Sequence, residues 1–460
     1  MHLDDTIVAI STPAGRGGLG VVRLSGPEAR AIAAPLLRLK HELEAGRAVF
    51  GELIEPATGE RIDEVVATFF AKPHSYTTED VVEISTHGAP VVLRHAVELA
   101  LARGARLAEP GEFTLRAFLN GRLDLTQAEA VRDLIESQTL YQAKVAAQQL
   151  GGALSHRLAP IKRELVDLIA ELEAGIDFAE DDVAVLPAPR VLERIASMRL
   201  PLSELEKSFA YGKLVHDGLT LAIVGRPNVG KSSLFNRLVE RERAIVTAAP
   251  GTTRDLVSES VALGGLPVRL VDTAGMREAL DEAESIGIRK SLEALADSDL
   301  ALVVLDASVP RGQEDQRLLR LVEQRRAILV ENKSDLAPDG NAPLRSTETT
   351  AAGATVVRVR TSALHGSGIA ELRAEILDSL GGSGGAQPEA GFLTSVRHQA
   401  LVRDTVSALD AASDAAAAAT PHEMLLLDLY NALRALDEIT GATTADDILN
   451  RIFSSFCIGK

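Results

Sequence analysis

The sequence predicts an α/β protein in three parts. A small α+β domain comes first, and a domain with a mixed sheet and helices on both faces is inserted into a helical domain. Between residues 219 and 361, short apolar runs alternate with helical or loop segments, which is typical of a largely parallel sheet. The five runs are residues 219–224, 268–272, 300–306, 327–333 and 355–361. Helical patterns lie on both sides of this region, and residues 381–391, rich in glycine, form a flexible linker. Insertion of one domain into another is well tolerated at exposed sites.

The composition limits the possible functions. The 460 residues leave room for about three domains. The net charge of −17 argues against an autonomous nucleic-acid-binding face, so an RNA partner would need a local basic patch or a second protein. The single cysteine, Cys457, fits a reducing compartment. The acidic amino terminus and the lack of an apolar run of about 18 residues predict a cytoplasmic protein without a membrane span.

The first domain is expected to cover residues 1–120. Residues 15–20 read GRGGLG and match the dinucleotide motif G-x-G-x-x-G, but a strand pattern follows where that motif requires a helix. We therefore predict a glycine loop between two strands. The predicted strands are residues 6–11, 19–25, 65–70 and 81–85, and the predicted helix is 90–102.

The helical domain is expected in two parts, residues 121–216 and 382–460. Thr126 and Glu129 have the spacing of a capping box, which predicts the start of a helix. Further along, apolar residues recur at gaps of three and four from Leu158 to Ile176, which predicts one apolar helical stripe.

The inserted domain, residues 217–381, contains a phosphate-binding motif. Its sequence GRPNVGKS, Gly225–Ser232, follows an apolar strand and precedes a helical pattern, which is the context that this motif requires. The glycines let backbone N–H groups converge on a phosphate, Lys231 is expected to reach the reacting β/γ oxygens, and Ser232 offers a hydroxyl to Mg²⁺. The predicted site also includes Asn228, Val229, Gly230 and Ser233.

Three later motifs predict GTP as the nucleotide. The sequence DTAG places an acid at a strand end, near the metal, and a glycine amide near the γ-phosphate. In NKSD, Asp335 can accept hydrogen bonds from both N1–H and the amino group of guanine, a pair that adenine does not offer. The sequence TSAL supplies a late loop for the base pocket. The predicted residues are Asp272, Thr273, Ala274, Gly275, Asn332, Lys333, Asp335, Ser362, Ala363 and Leu364.

Two details set this site apart from Ras-like proteins. Met276 stands where those proteins carry the glutamine that orients the attacking water, and a thioether cannot do this. The loop TAAPGTTRD, residues 247–255, is rich in oxygen ligands and could hold a monovalent cation against the phosphates, while Thr253 is placed to contact Mg²⁺. Such a cation would supply the positive charge that an arginine supplies elsewhere.

With GTTRD, the terminal CIGK and LNGRLDLTQAEAV at residues 119–131, the whole chain resembles the MnmE (TrmE) family of tRNA-modification GTPases. The resemblance implies a cytoplasmic homodimer whose GTP hydrolysis is activated by K⁺ through contact between two GTPase domains. It also implies a heterotetramer with the flavoprotein MnmG, which would hold most of the tRNA. Together they would install a carboxymethylaminomethyl or aminomethyl group at C5 of the wobble uridine. The one-carbon unit would come from 5-formyl- or 5,10-methylene-tetrahydrofolate bound in the first domain.

The resemblance also implies roles for individual residues. Asn228 and Thr252, with the backbone carbonyls of Thr247 and Ala249, would bind K⁺, and Glu284 would position the attacking water. The loop residues expected at the nucleotide are Thr247, Ala248, Ala249, Pro250, Gly251, Thr252 and Thr253. The residues expected at the folate are Arg23, Glu83, Arg122 and Lys460. Without the resemblance, Glu83 and Glu284 would be interpreted as ordinary surface residues, and a surface position is one alternative for Arg23.

Cys457 leaves alternatives open. The last residue, lysine, fits a prenylation signal poorly. The thiol could be a small buried apolar group beside Phe453 and Phe456. The resemblance implies instead that it lies beside the folate, where it would be catalytic or only positioned.

Two other functions are compatible with a GTP-binding domain. One is a GTP-controlled ribosome-assembly or RNA-binding switch of the Era or Der type, which would need a basic appendage or a second GTPase domain. The other is a membrane-remodelling GTPase of the dynamin type, which would need a basic amphipathic helix or an anchor. The sequence shows one phosphate-binding motif, an acidic balance and no such appendage, which favours the tRNA-modification function.

Overall fold

The computed structural model describes residues 4–177, 186–239, 258–272, 295, 298–323, 325–337, 342–349, 353, 355–379, 391–443 and 446–459. The chain divides into two compact units. The first unit comprises Met1–Arg132, Gln149–Val166 and Leu429–Lys460, and the second comprises Asp133–Gln148 and Asp167–Asp428. The domain boundaries at residues 120, 216 and 381 stay predictions. The predicted α/β fold class is confirmed, with two mixed sheets and abundant helix.

The first unit contains a seven-stranded sheet with the order β3-β4-β5-β6-β2-β1-β7. Its pairs are antiparallel except β1 with β7. The four predicted strands are confirmed as β1, β2, β5 and β6. The strands are β1 (Ile7–Ile10), β2 (Gly17–Ser25), β3 (Leu37–Leu39), β4 (Ala48–Ile54), β5 (Arg61–Phe70), β6 (Val81–Gly88) and β7 (Arg106–Leu107).

The glycine stretch at residues 15–20 is not only a loop, because β2 already begins at Gly17. The pairing of β2 with β6 shifts register between Gly17 and Gly20. A Cβ on Gly88 would lie 2.6 Å from the Gly17 carbonyl oxygen, so the two strands approach too closely for a side chain there. The prediction that this stretch lacks the strand–turn–helix context of a dinucleotide motif is confirmed.

The helices of both units account for much of the described chain. They are α1 (Ala29–Ala33), α2 (Pro90–Leu101), α3 (Glu112–Leu119), α4 (Leu125–Glu136), α5 (Leu140–Leu150), α6 (Ala153–Asp177), α7 (Ala188–Asp217), α8 (Lys231–Val239), α9 (Gln313–Val322), α10 (Ile369–Ser379), α11 (Val396–Ala417), α12 (His422–Thr440) and α13 (Asp446–Phe453). The predicted apolar stripe lies on α6 and is buried from Leu158 to Leu172. Short 3₁₀ segments are Ala34–Leu36 and Ser334–Leu336.

The predicted capping box at Thr126 and Glu129 is wrong by two residues. Helix α4 begins at Leu125, and the Gln127 amide donates to Asp124 Oδ1 at 2.9 Å. In return, the Asp124 amide donates to Gln127 Oε1 at 3.0 Å. The Thr126 hydroxyl instead donates to Oδ1 of Asp124, the carboxylate that caps the helix, at 2.7 Å. A carboxylate accepts from a helix N-terminus more strongly than a hydroxyl, and it therefore takes the capping position.

The second unit contains a seven-stranded sheet with the order β13-β14-β12-β11-β8-β10-β9. The five central strands are parallel, and the edge strands β9 and β13 are antiparallel to their neighbours. The five apolar runs of the sequence are confirmed as β8, β10, β11, β12 and β14. The strands are β8 (Leu219–Val224), β9 (Ser258–Leu263), β10 (Leu266–Asp272), β11 (Leu300–Asp306), β12 (Ala327–Asn332), β13 (Arg345–Thr349) and β14 (Thr355–Arg360).

Alternating side chains of this sheet build two apolar layers. Leu221, Ile223 and Val304 share one buried cluster with α8 and α10. Ala222 and Val303 belong to another cluster, which includes residues of α9. The carboxyl ends of the parallel strands meet at one edge of such a sheet, and ligands bind there in open α/β folds.

Candidate functional site

The phosphate-binding loop joins β8 to α8, and two of its glycines are required by close approaches. A Cβ on Gly225 would lie 2.4 Å from the Val304 carbonyl oxygen. Gly230 has a φ of +95°, and a Cβ there would lie 2.3 Å from Asn332 Nδ2. Asn228 also adopts a left-handed conformation, with a φ of +63°, and its side chain is exposed. The loop therefore has the tight backbone that lets amide groups converge on an anion.

Lys231 is the first residue of α8 and is 8% exposed. Its ammonium group donates to the carbonyl oxygens of Gly225 and Arg226 at 2.8 Å each, so it spans the loop. Ser232 and Ser233 follow at the N-terminus of the helix and are exposed. A helix N-terminus carries free N–H groups and a partial positive charge, which favour a phosphate.

Asn332 ties the phosphate loop to the loop after β14. Its side chain is buried, and Nδ2 donates to the Val229 carbonyl oxygen at 2.9 Å. Its Oδ1 accepts from the Ala363 amide at 3.0 Å and from the Thr361 hydroxyl at 3.3 Å. One buried amide thus brings together two of the predicted motifs.

The carboxylate of Asp335 is oriented and kept ionised by its neighbours. The Ser362 hydroxyl donates to Asp335 Oδ1 at 2.6 Å, and this bond is the main reason that the pKa of Asp335 is lowered. Lys333, with a φ of +61°, donates to Asp306 Oδ2 at 2.7 Å. The carboxylate of Asp335 therefore stays ionised and keeps the acceptors that a guanine edge needs.

Several predicted residues lie outside the described part of the chain. They are Thr247, Ala248, Ala249, Pro250, Gly251, Thr252, Thr253, Thr273, Ala274, Gly275, Met276, Glu284 and Lys460. Asp272 is the last residue of β10, and its backbone is described. The structure brings together the phosphate loop, Asn332, Asp335 and residues 362–364.

A second candidate site lies in the first unit. A cavity of about 530 Å³ is lined by Phe70, Pro73, His74, Ser75, Tyr76, Thr78, Val81, Glu83, Asn120, Gly121 and Arg122. Two of the predicted folate residues, Glu83 and Arg122, belong to this lining. Arg23 faces Glu83 across β2 and β6, and the two form an ion pair of 2.7 Å.

Tyr76 is a residue of this cavity that the sequence did not reveal. The guanidinium carbon of Arg122 lies 4.9 Å from the centre of its ring, and that of Arg23 lies 5.6 Å away. The Arg122 side chain also donates to the Tyr76 carbonyl oxygen at 2.5 Å. Burial raises the pKa of the Tyr76 hydroxyl, so it stays neutral beside Thr114 Oγ1 at 2.9 Å. The three residues are far apart in sequence, and only the paired strands and the turn after α3 bring them together.

The carboxyl-terminal segment is attached to the first unit by backbone contacts. Ile458 forms an isolated bridge with Pro110, and the Ser11 hydroxyl donates to the Gly459 carbonyl oxygen at 3.2 Å. A Cβ on Gly459 would lie 2.3 Å from the Ile10 carbonyl oxygen. Cys457 is exposed, whereas Phe453 and Phe456 are buried. The alternative that Cys457 is a buried apolar group is therefore wrong.

The comparisons with known proteins bear on the whole chain. The model of the GTP-binding protein TrmE N-terminus matches residues 6–122, and the model of the MnmE helical domain matches residues 125–457. The chain belongs to the MnmE family. Two relatives, each named tRNA modification GTPase MnmE, come from Koribacter versatilis and Aquifex aeolicus. The first is 66% identical and covers 100% of both chains, and the second is 44% identical and covers 99% of this chain and 100% of its own.

Solved structures match parts of the chain at low overall similarity. The G domain of the T. maritima FeoB iron transporter is 25% identical over 35% of this chain and 98% of its own, with a TM-score of 0.25. Era of Aquifex aeolicus bound to GDP and AlF₄⁻ is 24% identical over 41% of this chain and 66% of its own, with a TM-score of 0.26.

The family assignment confirms the predicted resemblance and the predicted enzyme class. The chain is a GTP hydrolase of the MnmE family of tRNA-modification GTPases, and it binds GTP and Mg²⁺. The assignment replaces the alternative of an Era- or Der-type switch. In the described residues, no helix combines the length and the apolar character that a membrane crossing requires.

Proposed function

We propose that this MnmE-family GTPase acts with an MnmG-type flavoprotein in the cytoplasm. The pair would install a carboxymethylaminomethyl or aminomethyl group at C5 of the wobble uridine of certain tRNAs. The observation that carries this proposal is the full-length match to tRNA modification GTPases, 66% identical in one relative. The protein would be a homodimer that forms a heterotetramer with this partner. The net charge of −17 supports the part of the proposal in which the partner holds most of the tRNA.

At the nucleotide, some of the described residues would contact the base and others the phosphates. Asp335 accepts hydrogen bonds from the guanine edge. Asn332 holds the loop of residues 361–364 beside the phosphate loop through its bonds to Ala363 and Val229. Lys231 exchanges its two carbonyl partners for phosphate oxygens, so its charge moves to where negative charge develops. Ser232, Thr253 and Asp272 would hold Mg²⁺, and the metal ion would neutralise negative charge on the phosphates.

The phosphate loop also fits a K⁺ ion. Asn228 is exposed beside the phosphate-binding glycines, and its amide oxygen is a suitable ligand for a hard cation. We propose that Thr247, Ala249 and Thr252 supply the remaining protein ligands and that Glu284 positions the attacking water. Bound K⁺ would add positive charge against the phosphates where this chain has Met276 in place of a glutamine.

The cavity of the first unit fits a tetrahydrofolate. Its volume of about 530 Å³ lies within the usual range for small-molecule sites. Its lining combines the rings of Phe70 and Tyr76 with one acid, Glu83, and two basic side chains, His74 and Arg122. Glu83 would accept from the amino group of the pterin ring, and Arg122 would pair with a carboxylate of the glutamate part. Arg23 would hold Glu83 in place, Lys460 would add a second cation, and a bound folate would supply the one-carbon unit.

The proposal is tested by nucleoside analysis of tRNA from cells that lack this protein. The modified wobble uridine is expected to be absent and to return when the wild-type gene is restored. Lys231→Ala should fail to restore it because the phosphates lose their cation. A variant of an exposed lysine on α7, Lys207→Ala, serves as the matched control and should restore it. Normal wobble uridine in the cells without the protein would contradict the proposal.

A further inference from the structure

Helix α8 carries an arginine that bonds to the loop after β14. Arg237 Nε donates to the Ala363 carbonyl oxygen at 3.0 Å, and Nη2 donates to the Leu364 carbonyl oxygen at 2.8 Å. These are charge-assisted bonds from one planar group to two consecutive carbonyls. The fork of donors on arginine matches such a pair, whereas the ammonium of lysine is a single point charge.

The loop that Arg237 holds is the one that completes the base side of the nucleotide site. Its Ser362 hydroxyl donates to the guanine-reading Asp335, and its Ala363 amide donates to Asn332. Apolar packing contributes little at its tip, because Leu364 is 73% exposed. Arg237 and Lys231 lie on the same helix, so the base loop is anchored to the element that also carries the phosphate-binding lysine.

We propose that Arg237 is a positioning residue for guanine recognition. By holding the carbonyls of Ala363 and Leu364, it sets the position of the Ser362 hydroxyl and, through it, the orientation of the Asp335 carboxylate. Loss of Arg237 should therefore weaken the hydrogen bonds between Asp335 and the guanine edge more than other contacts of the nucleotide. Without Arg237 the loop retains its own turn bonds, such as Gly366 N to Ser362 O at 2.7 Å, but loses the two side-chain hydrogen bonds that join its carbonyls to α8.

The test compares GDP with inosine diphosphate, which lacks the amino group that Asp335 accepts. Titration calorimetry of the full chain measures the Kd of each nucleotide for the wild type and for Arg237→Gln. We expect the Kd of GDP to rise by about 10-fold, the size of one lost charge-assisted bond. The Kd of inosine diphosphate should rise less, so the discrimination between the two nucleotides shrinks. In steady-state hydrolysis, the KM for GTP should rise while kcat is preserved.

Two further variants make the result unambiguous. Arg237→Lys keeps the charge but cannot serve both carbonyls, so it should give an intermediate loss of discrimination, and it decides the question if the glutamine variant does not fold. Arg317→Gln replaces an exposed arginine on α9 and should leave both Kd values unchanged. An unchanged Kd for GDP in the Arg237 variants would overturn the proposal. An equal loss of affinity for both nucleotides would also overturn it, because that result indicates a general structural role.

Discussion

At the scale of single residues, the nucleotide site depends on backbone positions that no side chain can occupy. Gly230 combines a φ of +95° with a contact to the Asn332 side chain, and Gly225 lies against the Val304 carbonyl oxygen. The motif predicted these glycines, because it requires a backbone that bends tightly around a phosphate. It did not predict Arg237, whose partners Ala363 and Leu364 come from a distant segment.

Gly230→Ala should damage nucleotide binding more than it damages the fold. The new methyl group would displace Asn332 Nδ2 and break its bond to the Val229 carbonyl oxygen. We expect the Kd of GDP, measured by calorimetry, to rise by at least about 10-fold, as for one buried hydrogen bond and its unpaired partner. Gly353→Ala is the matched control, because Gly353 has a φ of +83° and open space around its Cβ position. Equal affinities in the two variants would contradict the expectation.

At the scale of elements, a buried ion network joins α3 to the strands around it. Arg116 on α3 is fully buried and pairs with Asp5, just before β1, at 2.5 Å. It also pairs with Glu112 at 3.0 Å and with Glu79 at 3.3 Å. Arg106 on β7 reaches both Asp5 and Glu112. The network fixes how α3 docks on the edge of the sheet.

Arg116→Met should strongly destabilise the first unit, because it leaves three carboxylates without their buried cation. The expected loss in the free energy of unfolding is about 3–5 kcal/mol. Chemical denaturation followed by circular dichroism measures it. Arg38→Met is the control, because Arg38 pairs with Glu52 at the surface. Loss of this pair should lower the free energy of unfolding by less than about 1 kcal/mol. A small effect of Arg116→Met would show that the network contributes little.

The same network predicts a dependence on pH. Burial raises the pKa of Asp5 and Glu112, but hydrogen bonds from Arg106 and Arg116 outweigh it and leave both pKa values lowered. A lowered pKa in the folded state means that this stabilisation is present above the unfolded pKa values, near 4. It is lost as the pH falls through the folded values. Arg116→Met should therefore weaken the acid dependence of the free energy of unfolding below about pH 5.

The elements differ in how far the sequence could predict them. The strands β8 and β11 were predicted at their observed limits because continuous buried apolar runs permit few alternatives. The start of α4 was misplaced, since Asp124 and Thr126 both suit a helix N-terminus and only their mutual hydrogen bond decides between them. The Arg116 network and the place of Tyr76 in the cavity could not be predicted, because neither leaves a periodic or local pattern in the chain.

At the scale of the whole molecule, the carboxyl-terminal segment belongs to the same compact unit as the first domain. The contact of Gly459 with Ser11 joins residues 448 positions apart. Ile458 pairs with Pro110 in the same unit. The terminal CIGK is one of the motifs that carry the family resemblance, and this resemblance predicted a role for the segment at the folate site of the first domain. The exposed position of Cys457 leaves its thiol available for chemistry.

Cys457→Ser should separate the modification chemistry from folding. Because the side chain is exposed, we expect an unchanged melting temperature by calorimetry and an unchanged GTPase rate, together with loss of the modified wobble uridine in tRNA. If the proposed folate site includes Lys460, deletion of this residue should weaken folate binding by roughly 10- to 100-fold, the size of one charge-assisted contact with an anionic ligand. Normal tRNA in cells that carry Cys457→Ser would end the functional interpretation of this cysteine.

The central proposal is that K⁺ takes the place of an arginine in GTP hydrolysis by this chain. It is tested most directly by the GTP hydrolysis rate of the full chain in K⁺ and in Na⁺ at equal ionic strength. We predict a rate at least about 10-fold higher in K⁺, the scale of a lost electrostatic group in a catalytic site. Asn228→Ala should abolish the difference, and Asn236→Ala, which changes an exposed asparagine on α8, should preserve it. Equal wild-type rates in the two salts would contradict the claim.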